Sequence, residues 1–268
     1  MGVTNIKNGI DGLVSAIDLC KESEHGAEAI NQLGKSAVTV TRAINNFLLP
    51  IAAFNFGCEK AKAYFSERFE YDFSEKMKNV DPEDVIEPKS SVAAQALQGL
   101  AFSHEESELK EMYLSLLASA SNKKSRGSVH PSYVQIIREM TSDEAKILAS
   151  RYVFGSIPVA DIHLYKGTGG FNTVATNVSM LAESAGCDFK DMGPTYIDNL
   201  CRLGVFEIKR DQRITDDSAY AFVEGLPLYR ELQEFVSKNP VGARVEYKKK
   251  VMHLTTLGTL FIRTCISS

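Results

Sequence analysis

No CxxC pair occurs anywhere in this 268-residue chain. The five cysteines, Cys20, Cys58, Cys187, Cys201 and Cys265, are far apart and odd in number. That spacing excludes a zinc knuckle and a thioredoxin-like redox pair. Each sits among apolar neighbours, so buried free thiols in a reducing cytosol are expected. Charge of one sign is also lacking: 30 basic residues face 34 acidic ones, a formal −4. No global positive field draws the chain onto nucleic acid or membranes. Long hydrophobic runs are absent too. The longest, Phe47 to Cys58, contains Pro50 and Asn55 and falls short of the roughly 20 residues that span a bilayer. The N-terminus lacks a basic segment followed by an apolar one, so no signal peptide is read and a cytoplasmic location is expected.

Signatures of chemistry are equally scarce. Gly34-Lys35-Ser36 has Ala29 where a phosphate-cradling loop needs glycine, and it lies within a helical pattern. The glycines Gly167, Gly169 and Gly170 fail dinucleotide-loop spacing and read as a tight turn. His104-Glu105-Glu106 has no second histidine to complete a zinc helix, and the five histidines are scattered. There is no GxSxG elbow. Ser121 and Lys124 give SxxK inside a polar loop that offers no dry pocket. Paired carboxylates could be assembled by folding, but no spacing argues for them. No catalytic residue, metal ligand or cofactor is therefore expected.

What is present is an ordinary globular composition, 44% apolar and 24% charged, with strong helical periodicity. Ile6, Ile10, Leu13 and Ile17 form one stripe, and Ala27 to Phe47 a second. Pro50 interrupts, and the spacing resumes through Cys58, Ala61, Phe65 and Phe69. Phe47 to Phe73 holds a run of aromatics that reads as core, or as an amphipathic surface for a partner helix or a membrane interface. Ser103 with Glu106, and Thr141 with Glu144, match capping boxes. Helices are expected after each, and His130-Pro131 opens another.

From Thr141 the pattern changes. A helix is expected to about Phe154, then an edge strand over 157–166 with Ala160, Ile162 and Leu164 on one side. Phe171 to Ala185 reads as a helix ended by Gly186, and Gly193-Pro194 starts another. Strands follow at Val205–Lys209 and Val241–Leu254, and Thr255 or Thr256 caps a last helix. The fold expected is mainly α with a small antiparallel β component. A helical region, 1–140, precedes a winged-helix-like domain, 141–268, with a helix inserted near 220–238.

That order gives the charges a place. The two segments 202–213 and 244–250 carry eight cationic against three acidic side chains, a local +5. The helix from Pro194 to Leu203 would enter a groove of duplex DNA, with Thr195, Asn199 and Arg202 on its reading face and Asp198 repelled by phosphate. Lys248, Lys249 and Lys250 would meet phosphates. The competing reading is a solvated hairpin on a domain used for protein contact.

Several segments resemble the abortive infection alpha family of bacteria, long labelled a domain of unknown function. They are NFLLPIAAFNFGCEKAKAYFSERF at 46–69, VIEPKSSVAAQALQGL at 85–100, ELKEMYLSLLASA at 108–120, HPSYVQIIREMTSDEAKIL at 130–148 and LTTLGTLFIRTC at 254–265. The resemblance runs over about residues 40 to 268, and 130–148 is its most specific part. It implies a role in defence against bacteriophage, in which an infected cell shuts down before progeny mature. It implies no catalytic residues. His130, Pro131, Glu144 and Gly258 fall at family-like positions, and their structural readings are helix start, helix cap and close packing. The function expected is a non-enzymatic defence protein acting on a phage or host protein. The alternatives are a winged-helix regulator of double-stranded DNA and a membrane-acting toxin. A second copy of the chain is a further candidate partner, and a membrane is the least expected.

Overall fold

The computed structural model describes residues 58–266 apart from 168 and 239–241; the side chains of Cys58 and Glu59 are not described. The stripes read before residue 58, the Pro50 break and the first aromatics of the 47–73 run lie outside these residues. The chain divides into two compact units, 58–139 with 263–266, and 140–262.

The first unit is helical: α1 (Cys58–Glu67), α2 (Phe69–Met77), α3 (Ser90–Ser103), α4 (Ser107–Ala120) and α5 (Ser132–Arg138). Phe69, Phe73 and Met77 of α2 recur every four residues and are buried. The interior of α4 is buried continuously from Met112 to Ala120, so this helix is the centre of the unit's core. α3 lies close against it: a Cβ on Gly99 would meet the Tyr113 ring at 2.3 Å. Of the described aromatics of the 47–73 run, Tyr64, Phe69 and Phe73 are core residues, Phe65 is half-buried and Tyr71 is exposed. His130 does start α5, its Nδ1 accepting from the Ser132 amide at 3.1 Å. The Ser103–Glu106 capping box does not form. Ser103 is the last residue of α3, and Glu106 stands at the N-cap of α4 without a side-chain capping bond. The apolar face of α3 carries the helix past the position where Ser103 would have begun the next one.

The second unit runs α6 (Ser142–Ala149), β1 (Ile157–Tyr165), β2 (Phe171–Val178), α7 (Leu181–Ser184), α8 (Gly193–Arg202), β3 (Phe206–Lys209), α9 (Phe222–Gly225), α10 (Pro227–Lys238), β4 (Arg244–Leu254) and α11 (Thr256–Cys265), whose last residues count with the first unit. All pairings are antiparallel in the order β2-β1-β4-β3. The Thr141–Glu144 capping box opens α6 with both of its hydrogen bonds in place. Thr255 accepts from the Gly258 amide at 2.9 Å and caps α11. Gly258 is a close-packing position: a Cβ there would lie 2.2 Å from the Val205 carbonyl oxygen.

Two expectations are corrected. Residues 171–178 are the strand β2 rather than the start of a helix, and only 181–184 are helical. Thr and Val are stiff at χ1 and helix-averse, and this segment pairs antiparallel with β1. As a result β1 is an interior strand, paired on both sides. Pro158 is tolerated there because β2 pairing begins only at Ala160. The Pro158 carbonyl accepts from the Ser179 hydroxyl at 2.9 Å, so its missing N–H points to the side not yet paired. Ala160 and Ile162 share the face expected, packed with Val223 and Tyr229 of α9 and α10.

Candidate nucleic-acid interface

The helix α8 begins at Gly193 with Pro194 in its first turn, where the missing N–H costs nothing. Tyr196, Ile197 and Leu200 are buried, while Thr195, Asp198 and Arg202 are exposed and Asn199 is half-buried. Two adjacent carboxylates of α6 hold it. Asp143, 4% exposed, accepts from the amides of Asp188 at 2.8 Å and Phe189 at 2.9 Å, from the Tyr196 hydroxyl at 3.0 Å and from the Lys146 ammonium at 3.2 Å. Burial works to raise its pKa, but these four donors outweigh burial and bring it down to about 2. Tyr196 is pushed up to about 12 by its burial and by the Asp143 carboxylate it donates to. Burial and the same carboxylate push the Cys187 thiol up to about 11, so it is protonated and unreactive at neutral pH. Glu144 accepts from Thr141 through one oxygen and from the Asn199 side-chain amide at 2.7 Å through the other. Asn199 in turn accepts from Arg202 at 2.6 and 3.0 Å. The reading face expected on α8 is thus a prearranged chain, Glu144–Asn199–Arg202, with Thr195 beside it.

The three lysines of β4 have three different environments. Lys250 is 3% exposed. Its ammonium donates to Asp161 and to Asn177, each at 2.5 Å. Asn177 has φ of +54°, where the β1–β2 register shifts. Its amide N–H bonds Asp161 at 3.0 Å and its side chain donates to Asp198 of α8 at 2.5 Å. Lys250 is therefore committed to the interior and unavailable to a phosphate. Lys249 is paired with Asp217 at 2.7 Å and lies over the rings of Tyr220 and Tyr247. Lys248 is exposed. It stands two residues from Lys250 and shares the α8 side of the sheet.

Lys248 and Lys249 meet Arg210, Asp211, Gln212 and Arg213 along an open groove of about 530 Å³. Arg210 and Arg213 come from the turn after β3, which antiparallel pairing lays against β4. The local +5 is reduced in place by two acids from outside the segments: Asp217 takes Lys249 at 2.7 Å and Asp161 takes Lys250 at 2.5 Å. Thr195, Asn199 and Arg202 do not line the groove, so the six residues expected at one interface fall into a helix face, a groove pair and a buried lysine. Arg210 and Arg213 entered the sequence reading only as charges. Nothing local marked Asp143, Asp161 or Asn177, whose partners, apart from Lys146 for Asp143, are distant along the chain. Among the described residues there is no cluster of three potential metal ligands, and no helix is long and apolar enough to cross a membrane.

Fold and groove define a mostly helical protein whose second unit pairs a small antiparallel sheet with a cationic groove. The sequence model described as "Abortive infection alpha" matches residues 61–265. The chain belongs to the abortive infection alpha family. No curated protein shows significant similarity to it. Among solved structures, an uncharacterized protein from the hydrocarbon-degrading marine bacterium Alcanivorax borkumensis SK2 is similar at 20% identity, covering 51% of this chain and 93% of its own, with a TM-score of 0.34. A similarity that low carries no argument about fold or function.

Proposed function

We propose that this protein is an abortive-infection factor acting in the cytoplasm by binding a protein of the phage or the host, with the second unit as a winged-helix-like contact module. Family membership over residues 61–265 is the observation that supports it. The strand order β1-β4-β3, with α8 packed on one side, is what supports the winged-helix comparison. β2 is then an added edge strand, and α9 and α10 fill the wing. Expression from a plasmid in a susceptible host should lower phage plating efficiency while infected cells die early. Unchanged plating across a broad phage panel would refute the reading.

A second reading, duplex DNA binding, is favoured by one observation, the groove lined by Arg210, Arg213, Lys248 and Lys249. Phosphate contacts there would make affinity fall steeply between about 50 and 200 mM salt. Absence of any mobility shift with mixed duplex at the lower salt rejects it.

A further inference from the structure

The open half of the sheet, beyond the part held to α8, carries a second constellation. Tyr165 of β1 lies opposite Arg244 of β4 and Phe171 of β2. The Arg244 guanidinium stands over the Tyr165 ring at 3.9 Å. Phe171 is 50% exposed. Its ring is backed by His163 at 4.3 Å and by Tyr165 at 5.2 Å. The His163 ring is itself buried and hydrogen-bonded to Thr173 at 3.1 Å. An aromatic ring so supported is held in one orientation with its outer face bare. Strand alternation places Lys248 on this same side, four residues or about 13 Å along β4 from Arg244. Glu246 between them is occupied by Arg244. Beyond Lys248 the surface continues into the Arg210–Arg213 groove.

We infer that this face binds single-stranded nucleic acid. Unpaired bases stack on the Phe171 ring and on the Arg244 guanidinium plane, and the backbone runs past Lys248 into the groove. Rigid aromatic and guanidinium planes suit bases because every base has a π-face, and adjoining cations suit the phosphates whatever the sequence. A duplex, with its bases already stacked, cannot use Phe171. The cationic path selects a polyanion over an apolar protein surface. The inference stands apart from the phage-restriction reading, since it is read on purified protein.

The test is fluorescence anisotropy of the full chain with labelled oligo-dT, oligo-U and a duplex, at about 50 and about 200 mM salt. Single strands should bind in preference to duplex. Phe171→Ala should weaken them by roughly five- to a hundredfold with the salt slope unchanged. Phe171→Tyr should restore affinity, and Phe171→Leu, which keeps bulk without a π-face, should not. Lys248→Ala should lower the salt slope by about 0.7. Circular dichroism of each variant checks the fold, which an exposed ring should not disturb. Preference for duplex, no single-strand binding at low salt, or a Phe171→Leu variant as tight as wild type overturns the proposal.

Discussion

The two units bury polar groups in opposite ways. In residues 58–139 the core centred on α4 encloses neutral hydroxyls, and those of Tyr113, Ser115 and Ser121 have no hydrogen-bond partner among the described residues. In residues 140–262 the buried groups include charges: Asp143, Glu144 and Lys250. Each of these is bonded at every turn, Asp143 by four donors and Lys250 by two acceptors at 2.5 Å. The difference follows magnitude. An unpaired buried hydroxyl costs about 1–3 kcal/mol, which a well-packed helical core tolerates, whereas an unpaired buried charge costs far more. Asp143, Glu144 and Lys250 are all paired; among the described residues of the second unit one carboxylate oxygen of the half-buried Glu183 is buried without a partner. The first unit is held by packing. The second uses a polar lattice to fix where α8 lies against the sheet.

That contrast can be broken most forcefully at Lys250. Lys250→Ala leaves the half-buried Asp161 beside Asn177 without its cation, and stability to urea should fall by about 2–4 kcal/mol. Replacing the pair together, Lys250→Met with Asp161→Leu, should recover most of that loss. If the double variant is as unstable as the single one, the charge pair is not the reason for the loss.

Asp143 gives a smaller effect with a defined pH window. Its carboxyl titrates near 2 in the folded protein against an ordinary 3.8. A depressed acid stabilises the fold above its unfolded value, and that contribution fades as pH falls from about 4 towards 2. The contribution is about 2 kcal/mol. Asp143→Asn should flatten this part of the stability–pH curve. A variant whose acid unfolding midpoint matches the wild type would show that the depression is not expressed in stability.

The first unit should respond with the opposite sign. Ser115→Ala removes a buried hydroxyl that has no partner and should be neutral or stabilising by about 1 kcal/mol. A loss of that size in thermal or urea unfolding would mean that the hydroxyl is satisfied in solution, and the distinction between the units would weaken.

Legibility followed the range of the interactions. The helix after Thr141 was readable because a capping box is complete within four residues, and α4 because its apolar stripe repeats every turn. Ser103–Glu106 has the same capping-box spacing as Thr141–Glu144, yet α3 runs through Ser103, since burial of its apolar face outweighs one cap of about 1 kcal/mol. Of the candidate site, Lys248 and Arg202 are exposed, as long charged side chains usually are. The inward turn of Lys250 was not legible, because three consecutive lysines on a strand look alike until alternation and an acidic partner 89 residues away separate them.

The amino-acid pattern alone was enough for α1, α4 and α5 of the first unit, the cap of α6, the start of α8, the cap of α11 and the close packing at Gly258, and its segments carried the family resemblance. All but the last two are settled by neighbours within a turn or two, where backbone geometry and apolar period leave little choice. Strand pairing across the chain, in contrast, is what makes residues 171–178 a strand, places β1 in the interior, buries Lys250 and brings Phe171, Tyr165 and Arg244 together at one end of the sheet. Each of those depends on a partner strand brought from elsewhere in the chain, and no local pattern encodes which partner arrives.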